Sequence, residues 1–342
     1  MTVALAGTAI ESTTEPATEG SMRAIRFPRY GSADALELAD VAIPSPAADQ
    51  VLVRVRAASV NAVDWHRMTA RPYLVRATDG WRRPKDPRLG ADVAGVVEAV
   101  GKDVTRFRPG DAVFGMTIGS FAEHVAVAEG GLAAMPAGAT FEQAGAVGVA
   151  GITALQGLRD RGRLQTGQRV LVNGAGGGVG SFAVQIARAL GGRVTAVTRT
   201  DSLERVRSLG AEEVVDHTTT DATRLDRRFD LVFDAGGNGS LLAWRRVIAR
   251  GGRMVICGAG HGDWLGPVLR PLFGVVLSKL DRRTYVPFLA RRDLADLEQL
   301  AAWLADGSIV PMIERTYALA EARAAIRRVE CGEARGKVVI TM

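Results

Sequence analysis

Two different patterns of hydrophobic and polar positions divide the chain. From Met22 to about Ala146, short alternating runs are separated by Gly, Pro and Asp, which predicts a mostly β domain. From about Arg169, apolar strands, glycine turns and amphipathic helices follow one another, which is typical of a parallel sheet covered by helices. The chain is therefore predicted to be an α/β protein with two domains.

The second pattern is regular enough to predict individual elements. Strands are predicted at residues 169–173, 193–198, 213–217, 230–236 and 253–258, and helices at 181–190, 202–209 and 241–249. After Leu280, a strand at 284–288, a helix at 293–307 and a closing strand at 336–342 do not repeat this unit. We expect that last part of the chain to rejoin the first domain.

The composition is that of a globular protein. The 342 residues are 47% hydrophobic and 23% charged, which argues against disorder, and the length suits two domains. The best candidate for a membrane span, residues 266–280, is shorter than about 18 residues and contains Arg270 and Lys279. Residues 1–21 lack the basic and apolar regions of a signal peptide. We expect residues 1–21 to form a flexible tail, and we do not expect the protein to associate with a membrane.

Arginine dominates the positive charge. Lys and Arg number 43 against 37 Asp and Glu, a net charge of +6, so a nucleic-acid or anionic-lipid partner has to be considered. We interpret the charge as diffuse and do not expect nucleic acid to bind. In the densest basic stretch, residues 71–88, Asp, Pro and Trp interrupt the arginines, which indicates a loop, either a lid or solvated surface. The two cysteines, Cys257 and Cys331, fit a reducing cytoplasm.

A glycine-rich turn follows the predicted strand at 169–173. Glycines stand at positions 174, 177 and 180 of the sequence NGAGGGVG, between that strand and the next predicted helix. Residues without a Cβ permit a tight turn, close approach of backbone N–H groups to a pyrophosphate, and close packing of helix on strand. The turn predicts that the chain binds a dinucleotide.

The end of the next strand indicates which dinucleotide binds. An acid there would accept the ribose hydroxyl of NAD, whereas a cation suits the phosphate of NADP. Asp201 stands three residues before Glu204, the spacing of a capping box, and is predicted to cap the helix at 202–209. Thr198 and Arg199 remain for the phosphate, which favours NADPH. The alternative is that Arg199 is only a solvated surface residue.

Seven segments, in order along the chain, carry a resemblance to a known family. They are ASVNAVDWHRM (58–68), LGADVAGVVEAVGKDVTRFRPGDAVFG (89–115), SFAEHVAV (120–127), GITALQGL (151–158), RVLVNGAGGGVGSFAVQIARALG (169–191), SLGAEEVVDH (208–217) and RGKVVI (335–340). The sequence resembles the medium-chain dehydrogenase/reductase superfamily, in particular its zinc-independent quinone oxidoreductase-like branch. The resemblance implies a GroES-like β domain at 22–147 and 289–342, a Rossmann domain at 148–288, and an active site in the cleft between them.

The resemblance also implies a reaction without a metal. Zinc alcohol dehydrogenases of the superfamily carry a catalytic Cys where this sequence has Asn61, and Gly-His-Glu where it has Gly90-Ala91-Asp92. The natural reaction is then hydride transfer from NADPH to a small acceptor that is already electrophilic, a quinone or an α,β-unsaturated carbonyl compound. Two other functions stay open: an alcohol dehydrogenase, and a zeta-crystallin-like protein that binds NADPH and acts in redox sensing or nucleic-acid binding.

Three residues are candidates for the chemistry. Asn61 could donate its amide hydrogens to the oxygen that becomes negative, or it could hold its own loop. Asp64 is a candidate acid or base, with a structural role as the alternative. Tyr73 is a candidate proton donor, with packing as the alternative and solvent as another proton source.

Further residues are assigned to the cofactor by the resemblance. Thr153 would approach the nicotinamide, His217 the adenine, and Lys337 either the cofactor or the protein surface. The glycine turn and later strand ends would line the ligand crevice, through Gly174, Gly177, Gly178, Val179, Ala235, Gly236, Gly258 and Ala259.

Two segments are expected to wall the substrate pocket, residues 71–88 and 261–279. Their side chains, among them Trp81 and Phe273, indicate an apolar ligand. Similar proteins pair the strand at 284–288 between subunits, so a homodimer is expected.

Overall fold

The computed structural model describes residues 20–73, 75–257 and 266–342. Most of the predicted tail lies outside these residues, and so do the predicted site residues Gly258 and Ala259. The chain folds into two units, residues 1–148 with 313–342, and residues 149–312. Each unit contains its own large sheet, so the two sequence patterns correspond to two separate cores.

The strands and helices of the described residues are named in chain order. The strands are β1 (Ser21–Arg26), β2 (Glu37–Ala42), β3 (Gln50–Val60), β4 (Asp92–Val100), β5 (Ala112–Met116), β6 (His124–Ala128), β7 (Leu132–Ala134), β8 (Arg169–Asn173), β9 (Arg193–Thr198), β10 (Glu213–Asp216), β11 (Phe229–Asp234), β12 (Ile248–Ile256), β13 (Thr284–Pro287), β14 (Ile313–Ala318) and β15 (Lys337–Thr341). The helices are α1 (Ala62–Thr69), α2 (Val75–Asp79), α3 (Phe141–Gly145), α4 (Gly148–Gln156), α5 (Gly178–Ala189), α6 (Leu203–Ser208), α7 (Leu241–Trp244), α8 (Gly266–Leu280), α9 (Leu294–Ala305) and α10 (Ala322–Glu330).

The first unit is built on a sheet with the strand order β14-β15-β3-β4-β5-β7, and β6 also pairs with β3. In β3 the side chains of Val53 and Val55 are buried while Arg54 is exposed, because alternate residues of a strand face opposite sides. Antiparallel pairing places Val338 of β15 opposite Val60 of β3. The C-terminal strand therefore joins the N-terminal part of the chain.

The second unit is a six-stranded parallel sheet in the order β10-β9-β8-β11-β12-β13. Counted within the unit, this order is 3-2-1-4-5-6, the doubly wound arrangement that binds dinucleotides where the strand order reverses. The reversal lies between β8 and β11, and α5 packs on β8 and β9 with Phe182 and Ile186 buried. The predicted α/β class is confirmed, with one mostly β unit and one doubly wound unit. No helix among the described residues is long and apolar enough to cross a membrane.

The helix predicted at 241–249 is too long. In the structure α7 ends at Trp244, and Ile248 already begins β12 with its side chain fully buried. The apolar residues of that stretch therefore fill the core from a turn and a strand, a distinction that short apolar runs leave ambiguous.

The second boundary between the units also differs from the prediction. Residues 289–312 belong to the second unit, although the sequence predicted that they rejoin the first. Asp296 of α9 explains the attachment, because its Oδ2 accepts a hydrogen bond from Nε2 of Gln156 at 2.7 Å and its Oδ1 lies 2.7 Å from Nη1 of Arg159. The first boundary, after residue 148, lies one residue from the predicted position.

Candidate functional site

The glycine turn joins β8 to α5 at the reversal point of the second sheet. Gly174 has a positive φ of 82°, and a Cβ there would lie 2.8 Å from the backbone N of Gly236. A Cβ on Gly180 would lie 2.1 Å from the carbonyl O of Gly174. Both positions therefore require glycine, because backbone atoms approach too closely for any side chain.

Gly177 differs from these two glycines because the space beside it is open. Among the described residues, a Cβ there would meet only the carbonyl O of Gly174, at 3.4 Å, an ordinary contact distance. Gly177 is the N-cap of α5, and Gly178 and Val179 begin its first turn. Amide hydrogens in a first helical turn have no partner within the helix, and the helix dipole adds positive potential. The turn is an open cradle that fits a phosphate group.

The end of β9 lies against this cradle. A Cβ on Gly176 would lie 2.5 Å from Oγ1 of Thr198, and the backbone N of Ala175 donates to the carbonyl O of Val197 at 3.0 Å. Thr198 is buried, whereas Arg199 is exposed. The guanidinium of Arg199 has no bonded partner among the described residues. The Arg199 guanidinium is therefore a cation available to a ligand, and it stands next to Thr198, which lies against the glycine turn.

Asp201 does not cap α6, contrary to the prediction. It lies within a short 3₁₀ turn, Thr200–Ser202, and the N-cap of α6 is Ser202. Oδ1 of Asp201 accepts a hydrogen bond from Oγ of Ser202 at 2.9 Å. The 3₁₀ turn after β9 takes the place of the predicted capping box.

His217 lies at the same edge of the sheet as Thr198. Its backbone N donates to the carbonyl O of Thr198 at 3.0 Å, and its side chain is exposed. The preceding Asp216 accepts hydrogen bonds from Oγ1 of Thr200 at 2.6 Å and Oγ1 of Thr218 at 2.7 Å, and these donors lower its pKa. The Asp216 carboxyl is therefore ionised and lies at the same edge of the sheet as Thr198.

A buried polar cluster that the sequence analysis missed lies at the reversal point. Asp234 ends β11, is fully buried, and accepts a hydrogen bond from Nδ2 of Asn173 at 2.7 Å. Its other oxygen lies 2.5 Å from Nη2 of Arg270 on α8. The predicted crevice residues Ala235 and Gly236 follow directly. The signal in the sequence that could have revealed this cluster is a polar residue at the end of each of two apolar strands, Asn173 on β8 and Asp234 on β11.

Thr153 lies on α4, in the second unit. Its Oγ1 donates to the carbonyl O of Val149, one turn earlier, at 2.6 Å. Because the hydroxyl hydrogen is used inside the helix, the oxygen lone pairs are what Thr153 offers to a ligand such as a carboxamide NH₂.

In the first unit, four buried side chains form one network. Nδ2 of Asn61 donates to Oδ2 of Asp92 at 2.9 Å and to the carbonyl O of Ser59 at 3.1 Å. Nζ of Lys337 donates to Oδ1 of Asn61 at 2.7 Å and lies 3.3 Å from Oδ2 of Asp92. Oγ of Ser59 donates to the same Asp92 oxygen at 2.5 Å.

The network changes the interpretation of two predicted residues. Both amide hydrogens of Asn61 are used inside the unit, which favours its role in holding the loop over a role as donor to a ligand. Lys337 is 1% exposed, which excludes the alternative of a surface lysine, and the described contacts of its ammonium are with Asn61 and Asp92 rather than with the glycine turn. Sequence reasoning gave no role to Ser59 and treated Asp92 only as the replacement for a zinc ligand.

Asp64 connects the start of α1 to a turn of the first unit. Its Oδ2 accepts from the backbone N of Asn61 at 2.9 Å, and its Oδ1 accepts from the backbone N of Gly90 at 3.0 Å. Burial raises the pKa of the Asp64 carboxyl to about 7, although these two N–H donors favour the ionised form. Both oxygens serve backbone groups, which favours the structural alternative.

The loop at 71–88 is tied to α1 and contains α2. Nη1 of Arg67 donates to the carbonyl O of Arg88 at 3.0 Å. Tyr73 is half-buried, and the guanidinium carbon of Arg76 lies 4.8 Å from the centre of its ring. This is a cation–π contact, so the described packing of Tyr73 is with the loop itself.

The donor set at Asn61 and Asp92 does not fit a zinc ion. No three His, Cys, Asp or Glu side chains lie close enough together to hold a metal in the described part of the chain. Asp92 faces the ammonium of Lys337 instead, and that charge would repel a second cation.

A doubly wound sheet with an open glycine turn, joined in one chain to a mostly β unit, defines a nucleotide-dependent oxidoreductase. Family models agree: one described as an alcohol dehydrogenase GroES-like domain matches residues 47–137, and one described as a zinc-binding dehydrogenase matches residues 209–340. The chain belongs to the medium-chain dehydrogenase/reductase superfamily, in its quinone oxidoreductase-like branch.

Relatives match over nearly the whole chain. The 2-methylene-furan-3-one reductase of Solanum lycopersicum is 33% identical, over 97% of this chain and 82% of the relative. An NADPH-dependent alkenal/one oxidoreductase of Arabidopsis thaliana is 32% identical, over 98% of this chain and 83% of the relative. The structure of the quinone oxidoreductase from Coxiella burnetii superposes with a TM-score of 0.83 at 25% identity, covering 94% of this chain and 99% of the other.

Proposed function

We propose that the chain reduces small, apolar, electrophilic acceptors with NADPH, either quinones or α,β-unsaturated carbonyl compounds. The observation that carries the cofactor part is the open cradle at Gly177 together with Arg199, whose guanidinium has no bonded partner in the described part of the chain. The names of the relatives support the acceptor class, since they act on an alkylidene furanone, alkenals and alkenones, and quinones.

NADPH would be held by the second unit alone. The pyrophosphate fits the cradle at Gly174, Gly177, Gly178 and Val179, and the 2′-phosphate fits Thr198 and Arg199. The residues proposed nearer the two rings are His217 on the adenine side and Thr153, Ala235, Gly236, Gly258 and Ala259 on the nicotinamide side. When bound, reduced nicotinamide supplies a hydride, and the chain's part is to orient it and exclude water.

For the first unit we propose a positioning role for the network. Lys337 and Asp92 hold the Asn61 amide, and Asp64 holds the backbone at the start of α1. Tyr73 remains a candidate proton donor, because its contact with Arg76 is made through the face of its ring. We propose that the reaction needs no metal, because the described donor set is satisfied by a lysine.

We propose that the protein is a cytoplasmic homodimer. β13 ends the strand order of the second sheet, so one of its edges has no strand partner among the described residues. Neighbouring α8 exposes Leu269, Leu272, Phe273 and Val276, which repeat at helical spacing. A second copy would cover both the strand edge and this apolar face.

The test is NADPH oxidation by chelator-treated protein, with quinones, enones, enals and matched saturated aldehydes as acceptors. The expected result is turnover of the conjugated acceptors alone, unchanged when zinc is restored. Turnover of saturated aldehydes that depends on zinc would overturn the proposal in favour of an alcohol dehydrogenase. Tight NADPH binding without turnover of any acceptor would overturn it in favour of a binding protein.

A further inference from the structure

A basic cavity of about 640 Å³ lies on the second unit. Its described lining is five arginines, one aspartate and one leucine: Arg228, Arg245, Arg250, Leu280, Asp281, Arg282 and Arg283. The sequence analysis interpreted the positive charge of the chain as diffuse. The fold brings these arginines together, so positive charge is concentrated at this cavity.

The cavity lies at the opposite edge of the sheet from the glycine turn. Arg228 directly precedes β11, Arg250 lies near the start of β12, and Arg282 and Arg283 directly precede β13. The three strands are parallel, so their amino ends meet at one edge. The glycine turn follows the carboxyl end of β8, which is parallel to β11. Cofactor binding at the turn therefore leaves the cavity free.

The charge of the cavity is only partly neutralised within the protein. Asp281 is the one carboxylate among the described lining residues, with Arg245 Nε 2.7 Å from its Oδ2 and Arg283 Nη1 2.9 Å from its Oδ1. These contacts, led by the hydrogen bond from Arg245, lower the pKa of Asp281. The guanidinium groups of Arg250 and Arg282 have no bonded partner among the described residues.

We propose that this cavity binds a small molecule with two or more phosphate groups. Guanidinium groups bind phosphate oxygens through paired N–H donors, and several around one cavity match a polyphosphate better than a single carboxylate. The volume suits a compact ligand, with Leu280 as an apolar wall. Nη1 of Arg228 also donates to the carbonyl O of Arg246, and this hydrogen bond holds the Arg228 side chain in the lining of the cavity.

Inorganic tripolyphosphate is the probe, titrated by calorimetry into the full chain saturated with NADP⁺, so that the cofactor site is filled. The expected result is one site per chain that weakens as salt increases. In the double variant R250Q/R282Q the affinity should fall at least tenfold. The control R29Q/R56Q removes two exposed arginines of the first unit, with the same change in net charge, and should bind as the parent does.

Three outcomes would overturn the proposal. Equal affinity in both double variants would show that general charge, not the cavity, binds the probe. Loss of tripolyphosphate binding on saturation with NADP⁺ would assign the probe to the cofactor site. Binding only to vesicles containing phosphoinositide, with none to soluble tripolyphosphate, would assign the arginines to a membrane surface. Thermal unfolding of each variant shows whether the loss of affinity comes from a loss of fold.

Discussion

Nζ of Lys337 lies 2.7 Å from Oδ1 of Asn61, although 276 residues separate the two along the chain. The sheet register produces this contact, because Val338 pairs with Val60 and so places the preceding lysine beside the residue that follows β3. The last strand therefore fixes the start of α1 through one buried hydrogen bond from the Lys337 ammonium.

Lys337→Met is expected to destabilise the protein strongly. Asp92 is fully buried, so removal of the ammonium leaves its carboxylate without the Lys337 charge that faces it, at a cost of about 3–5 kcal/mol. Urea unfolding measures the loss, with Arg56→Met, an exposed position on β3, as the control. The double variant K337M/D92N should recover part of the stability. Equal stability of K337M and R56M would contradict a role for the ion pair.

Asn61→Ala should reduce stability more than turnover. The substitution removes the partner of Lys337 and both donors to Ser59 and Asp92, which costs about 1–3 kcal/mol. We expect kcat for an enone to fall by less than about tenfold in the folded protein. A fall of about a hundredfold or more without loss of stability would show instead that the amide is released to stabilise a developing oxyanion.

Arg199→Ala is expected to reduce the preference for NADPH over NADH. Loss of one charged hydrogen-bond donor should raise KM for NADPH by about ten- to a hundredfold, with KM for NADH unchanged. Steady-state kinetics with both cofactors gives the ratio, and Arg29→Ala is a control at an exposed arginine of the first unit. An equal rise in both KM values would argue that the guanidinium does not contact the 2′-phosphate.

Gly177→Ala separates folding from cofactor binding. A Cβ at this position meets nothing closer than 3.4 Å, so the thermal midpoint should change little. The methyl group would enter the proposed phosphate cradle, and Kd for NADPH should rise at least about tenfold. Gly130→Ala, where a Cβ meets no atom within 4 Å, is the control in the first unit. Unchanged NADPH affinity would place the pyrophosphate elsewhere.

Local patterns were sufficient to predict the second unit's strands and its glycine turn. β8, β9 and β11 are short apolar runs, and each is followed by a turn or helix whose signals lie within a few residues. The same local reasoning failed at Ile248, because a buried residue in a short apolar run fits a helix as well as a strand.

Contacts between distant segments could not be predicted. The attachment of α9 depends on Asp296 meeting Gln156, 140 residues earlier, and the network at Asn61 depends on strand register. Whether a lysine such as Lys337 is buried or exposed is decided by such pairing and not by its neighbours in sequence. The same holds for the arginine cavity, which draws on the starts of three strands.

The buried carboxyl of Asp64 makes stability depend on pH. Its pKa is about 7 in the folded chain against an ordinary value of 3.8, so between these values the folded state holds a proton that the unfolded state has lost. The stabilisation is complete below about pH 4 and is lost as pH rises through 7, by about 1.4 kcal/mol per pH unit.

Asp64→Asn removes this titration. The amide cannot ionise, and its single carbonyl oxygen can serve only one of the backbone N–H groups of Asn61 and Gly90, so the variant should be less stable than the parent. The difference in unfolding free energy between parent and variant should be largest near pH 4 and should shrink towards pH 8, measured by urea unfolding at each pH. A difference that stays constant across this range would show that Asp64 is ionised throughout, and that its two N–H donors outweigh its burial.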